Sequence, residues 1–148
     1  MNSLDPNKLF SIFESNEGMV NASPEIKKVL DNPYVVFGMV LRGLENYHMM
    51  DVMYQRRYPE DYEEKKNTIK YNYFERLYNY LTRINLKSFE EIYKVTTSYP
   101  IAETCAALDE MIMFYESVEY YERCAKIKEY ADTFHRVAVD SIEDKHFF

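Results

Sequence analysis

Five prolines divide this chain of 148 residues, and each follows a residue suited to closing one helix or opening the next: Asp5-Pro6, Ser23-Pro24, Asn32-Pro33, Tyr58-Pro59 and Tyr99-Pro100. Proline is tolerated at the first helical position because its missing N–H would have no intrahelical partner there. Asp5, Ser23 and Asn32 can each cap the helix that follows. Ser88 and Glu91 add a capping box, in which a hydroxyl and a carboxylate satisfy two orphan backbone donors. These signals predict helices near 6–15, 24–31, 33–56, 59–84, 89–97, 100–117 and 120–141. Glycine is scarce, with three residues, and runs of β-branched residues are absent, so a sheet is not expected.

The apolar residues recur at helical spacing. In 33–56 one face carries Val36, Met39, Val40, Gly43, Leu44, Tyr47, Met50 and Tyr54; in 59–84 the stripe is Ile69, Tyr73, Leu77, Tyr80, Leu81 and Ile84. Gly38 and Gly43 fall inside a helix, where a missing Cβ permits close packing. Short connections favour antiparallel neighbours. The expected fold is all-α: one domain over 1–148, an irregular helical bundle ending in an antiparallel helical hairpin over 100–141.

That hairpin is the most informative stretch. Its first helix aligns Ile101, Cys105, Leu108, Ile112 and Tyr115, and its second aligns Tyr120, Cys124, Ile127, Ala131 and Phe134. Ser117-Val118-Glu119 between them is too short for anything but a reversal. An isolated hairpin leaves one apolar stripe for a third body, so the expectation here is a ridge available to a partner.

The hairpin resembles the UVR motif, the helical pair of bacterial excision-repair helicases and nucleases and of some protease-chaperone adaptors. The residues that carry the likeness are Leu108, Met111, Tyr121, Glu122, Cys124, Ala125, Ile127, Lys128 and Glu129. Lysine and glutamate stand where the family has arginine and aspartate, and Cys124 where it has alanine. The resemblance covers residues 108–130 and implies protein–protein contact, not repair chemistry.

Tyrosine is abundant, with 15 residues against 9 phenylalanines and no tryptophan. Tyr71 and Tyr78 lie seven apart on a flank turned from the 59–84 stripe, and Phe114, Tyr121 and Tyr130 fall off the main hairpin faces. Rings outside a core form contact patches, and tyrosine is enriched at interfaces. The expected partner-binding residues are Tyr71, Tyr78, Phe114, Tyr121, Glu122, Lys128, Glu129 and Tyr130.

Charge is uneven. Net charge is −7, yet residues 56–87 carry eight Lys/Arg against five Asp/Glu, while 88–132 carry four against ten. The acidic half would steer a basic partner. An alternative reading is nucleic-acid binding through 54–83, where Arg56, Arg57, Lys65, Lys66, Lys70, Arg76 and Arg83 interleave with Tyr54, Tyr58, Tyr62, Tyr71 and Tyr78. Glu60, Asp61, Glu63 and Glu64 dilute that field. The opposite alternative is an acidic DNA mimic over 88–132, although ten acids on three helices are sparser than a phosphate backbone.

Enzymatic signals are weak. Glu45-x-x-His48, Asp132-x-x-His135 and Glu143-x-x-His146 have the spacing of helical di-iron ligands, but Glu45 lies opposite the apolar face of its helix. There is no nucleophile elbow or glycine-rich phosphate loop. Cys105 and Cys124 sit about 20 Å and 8 Å from the reversal at ~1.5 Å per residue, too far apart axially to bridge. No catalytic residue, metal or cofactor is expected. The N-terminus lacks a basic flank and apolar core, and no apolar run reaches the ~20 residues that span a bilayer, so the expected location is cytoplasmic. Self-association remains open. Low alanine with abundant Asn, Lys and Tyr suits an AT-rich genome such as a bacteriophage's.

Overall fold

A computed structural model describes residues 28–146, with side chains placed through Ile142. The expected helix 6–15 and most of 24–31 lie outside the described residues, as do the Glu143 and His146 side chains; residues 28–30 are helical. Five helices follow: α1 Pro33–Arg57, α2 Pro59–Leu81, α3 Phe89–Ser98, α4 Ile101–Ser117 and α5 Tyr121–His146. No strand occurs among the described residues.

The local chemistry explains the boundaries. Asn32 Oδ1 accepts from the Tyr34 N–H at 3.2 Å, and Ser88 Oγ accepts from the Glu91 N–H at 3.3 Å, each satisfying a donor that the first helical turn leaves open. Pro33 and Pro59 are the first residues of α1 and α2. Helix α2 stops at Leu81, three residues before the expected end. The Thr82 hydroxyl donates to the Tyr78 and Asn79 carbonyls, and Arg83 and Ile84 close tight turns onto Tyr80 and Leu81. Those bonds satisfy the terminal carbonyls without another α turn.

α1 packs along α2, α4 pairs with α5, and α3 bridges α1 and α5. The core is largely aromatic. Phe74 of α2 stacks on Phe114 of α4 with centroids 4.4 Å apart, and Phe37 of α1 meets Phe134 of α5 edge-on at 5.4 Å. Leu81, Val95, Leu108, Met111, Tyr115 and Ile127 are wholly buried around them. At Gly43 a Cβ would press on the Leu77 side chain, and its carbonyl accepts from Tyr73 Oη at 2.7 Å. The missing side chain lets α1 and α2 approach there.

The turn from α4 into α5 is a Schellman motif. The Tyr120 N–H bonds the Tyr115 carbonyl at 2.9 Å and the Glu119 N–H bonds Glu116 at 3.0 Å. The rings of Tyr115 and Tyr120 meet at 6.0 Å, supplying the apolar contact that accompanies the motif. The left-handed position belongs to Glu119, with φ 59°. Among the described non-glycine residues it alone has positive φ.

Candidate partner-binding surface of the hairpin

The hairpin ridge is not spare. Its inner face is sealed by the chain itself: Leu108, Met111, Tyr115, Ile127, Tyr130 and Phe134 are all buried. Three expected contact residues are therefore core residues. Tyr78, Phe114 and Tyr130 are 8, 7 and 2% exposed. The cause is geometric. Each hairpin helix has two neighbours, and the stripe through Ile101, Cys105 and Ile112 marks only one of them, the α4–α5 seam. There the Cys124 thiol reaches the Ile112 carbonyl at 3.6 Å. A second face, rotated from the first, presents Met111, Phe114, Tyr130 and Val137 to the rest of the bundle.

Tyr71 is half-buried and committed internally. Its hydroxyl donates to Glu75 Oε1 at 3.0 Å, while Tyr115 Oη donates to Glu75 Oε2 at 3.0 Å. The Arg123 guanidinium completes the group, 3.3 Å from the Glu75 carboxylate and 4.0 and 4.9 Å from the ring centroids of Tyr78 and Tyr120. This cluster fastens α5 to α2 directly beneath the turn. Burial, reinforced by the Glu75 charge, pushes the Tyr115 hydroxyl far above its ordinary value. The hydrogen bond to Glu75 raises Tyr71 as well.

The other expected residues face outward. Tyr121 is 64% exposed, and Glu122, Lys128 and Glu129 are exposed on the same helix. Tyr121 with Lys128, and Glu122 with Glu129, are two turns apart and form one outward strip along α5. Glu129 also pairs with Lys126 at 3.5 Å. The structure adds residues that the sequence reading missed. Met113 on α4 is 69% exposed, and Val118 in the turn is also exposed. Met113 follows two residues after buried Met111, a spacing that takes it out of helical register with the core.

A further apolar set lies on α1: Met49, Val52 and Met53 are exposed. His48 of α1 meets Glu110 of α4, and Tyr99, in the connection from α3 to α4, donates from Oη to the Tyr34 carbonyl near the start of α1. Val52 and Met113 each lie about one turn beyond the His48–Glu110 pair.

The chemistry-bearing candidates do not converge. Glu45 and His48 are exposed, and His48 is engaged by Glu110 instead of its neighbour Glu45. Asp132 and His135 are exposed on α5. Among the described residues no three His, Cys, Asp or Glu side chains are grouped to hold a metal ion. Burial, aided by nearby carboxylates, raises both thiols: Asp109 and Asp132 act on Cys105, and Glu116 acts on Cys124. Raised thiols are poor nucleophiles at neutral pH.

Several cations of the basic segment 54–83 are already paired. Lys65 pairs with Asp61 at 3.2 Å, Lys66 with Glu63 at 2.7 Å and Arg83 with Asp31 at 3.3 Å. Tyr54 is buried, with its hydroxyl on Asp61, and Tyr78 lies against Arg123. Few rings there are open to stack on bases. No described helix is long and apolar enough to cross a membrane. No protein-family model, curated protein or solved structure matches the chain.

Proposed function

We propose that this chain is a non-enzymatic protein-interaction module, acting as an adaptor, inhibitor or regulator, that docks a protein partner on the outer face of its terminal hairpin. The carrying observation is that Met113, Val118 and Tyr121 stay exposed around a turn whose inner side is fixed by the Schellman bonds and the Arg123–Glu75 cluster. A backbone support that is already rigid adds no loop-ordering cost on binding, which favours association. Methionine adapts its shape to a partner, and tyrosine supplies a rigid amphipathic anchor. Glu122, Lys128 and Glu129 form a polar rim beside them. The likeness of 108–130 to the UVR hairpin agrees with a contact role. Free thiols suit a reducing compartment such as the cytoplasm.

Affinity capture from a host lysate with wild type and with the Met113→Ala/Tyr121→Ala double variant, which leaves the charges unchanged, tests the reading. Loss of the captured protein with helicity and melting unchanged is the expected result. Retained capture would refute it, and so would loss of helicity, which would make these residues structural.

A further inference from the structure

We infer that the exposed tip of the hairpin takes a basic protein segment: lysines or arginines flanking an apolar or aromatic anchor. This inference rests on the docking reading and specifies its partner. The end of the hairpin carries three exposed apolar side chains, Met113, Val118 and Tyr121, at 69, 43 and 64% exposure. The charges around it say what would cover it.

Glu116, Glu119 and Glu122 recur every three residues through the turn, and all are exposed. None takes part in an ion pair or a side-chain hydrogen bond among the described residues. On the same hairpin Glu110 has His48 and Glu129 has Lys126, while Glu103, Asp109, Asp132 and Asp140 also lack a cation among the described residues; what sets the three apart is that Glu119 and Glu122 adjoin Val118 and Tyr121 in the chain, with Glu116 in the last turn before them. The nearest cation in sequence, Arg123, is turned inward between the Tyr78 and Tyr120 rings and onto Glu75. It does not neutralise the rim.

The backbone adds to the same field. α4 has no basic residue in its last turn, where the helix dipole favours a cation, and carries Glu116 there instead. An external Lys or Arg would supply the missing positive charge while its neighbouring anchor covers Tyr121 and Val118. A second copy docking tip to tip would bring three glutamates against three, and a nucleic-acid backbone would be repelled in the same way.

The test uses the isotope-labelled full chain and three short synthetic peptides. All share alternating leucine and phenylalanine anchors and differ only in having lysine, serine or glutamate between them. The lysine peptide is expected to shift the amide signals of residues 113–123. The triple variant Glu116→Lys/Glu119→Lys/Glu122→Lys should weaken it by about tenfold or more, and added salt should weaken wild-type binding. If the triple reversal unfolds the chain, the charge-neutral Glu116→Gln/Glu119→Gln/Glu122→Gln variant should still show a severalfold loss.

Equal or better binding of the serine or glutamate peptide at the tip would overturn the basic-partner inference while leaving the docking reading standing. Lysine-peptide shifts centred on the acidic stretch 60–64 of α2, or no response at the tip from any peptide, would also overturn it. The docking reading itself is decided separately, by capture with the charge-neutral Met113→Ala/Tyr121→Ala variant.

Discussion

Replacing Glu119 with glycine should make the protein more stable, although it removes a side chain and adds chain freedom. Glu119 holds φ 59° at the left-handed position of the α4–α5 turn, fixed there by its own N–H on Glu116 and by the Tyr120 N–H on Tyr115. A side chain in that conformation costs about 1–2 kcal/mol through the clash of Cβ with the following carbonyl. Glycine avoids the clash but loses about 0.5–1 kcal/mol more backbone entropy on folding. The net gain is about 0.5–1 kcal/mol, and relief of repulsion from Glu116 and Glu122 adds a few tenths. For a chain near this length that corresponds to roughly 1–4 °C in Tm. Denaturant and thermal melts of a Glu119 series measure it. Gly should exceed Asn, which tolerates the left-handed region, and Asn should exceed Ala, which keeps the clash while losing the charge. A fall in Tm for Glu119→Gly, or a gain for Ala equal to that for Gly, would refute the conformational argument.

Three further predictions concern the interior. Arg123→Leu should cost about 2 kcal/mol in denaturant unfolding, because it leaves the largely buried Glu75 carboxylate without its cation and strips the contacts to Tyr78 and Tyr120; a loss under ~0.5 kcal/mol would show the cluster to be idle. Burial pushes Tyr73 and Tyr130 up to about 12, above their unfolded value near 10, so their contribution is fully present below pH ~10 and is lost progressively as pH rises towards 12. Tyrosinate absorbance should therefore rise together with loss of helicity in that window, and full tyrosine ionisation of a still-helical chain would contradict it. Gly38→Ala should change stability by less than about 0.5 kcal/mol, because the ~1 kcal/mol of helix propensity that alanine gains is offset by its Cβ displacing the Tyr99 hydroxyl from the Tyr34 carbonyl; stabilisation by the full ~1 kcal/mol would mean the space is open.

Most of the frame could be read from the chain. Asn32-Pro33, Tyr58-Pro59, Ser88 and Tyr99-Pro100 mark where α1, α2, α3 and α4 begin, because capping is a local interaction between residues two or three apart. The surface was much less legible. Helical periodicity locates one apolar face, but α2, α4 and α5 each meet more than one neighbour. Tyr78, Phe114 and Tyr130 therefore looked peripheral while lying in the core. Arg123 carries no local mark of its inward turn, because Glu75, Tyr78 and Tyr120 meet it only in the folded chain. The left-handed residue was hidden for a different reason. That position favours glycine, so a glutamate gives no signal of it. Met113 was detectable in principle as an apolar residue out of register with Leu108, Met111 and Tyr115.

The most direct measurement is oxidative footprinting of the full chain, alone and with its captured partner, read at individual side chains. The outer-face account predicts that Met113 and Tyr121 oxidise readily in the free chain and become protected in the complex, while Phe89 and Tyr93, exposed on α3, react equally in both. Protection centred on Tyr58 and Tyr62 of the basic segment, with Met113 and Tyr121 still reactive, would contradict it.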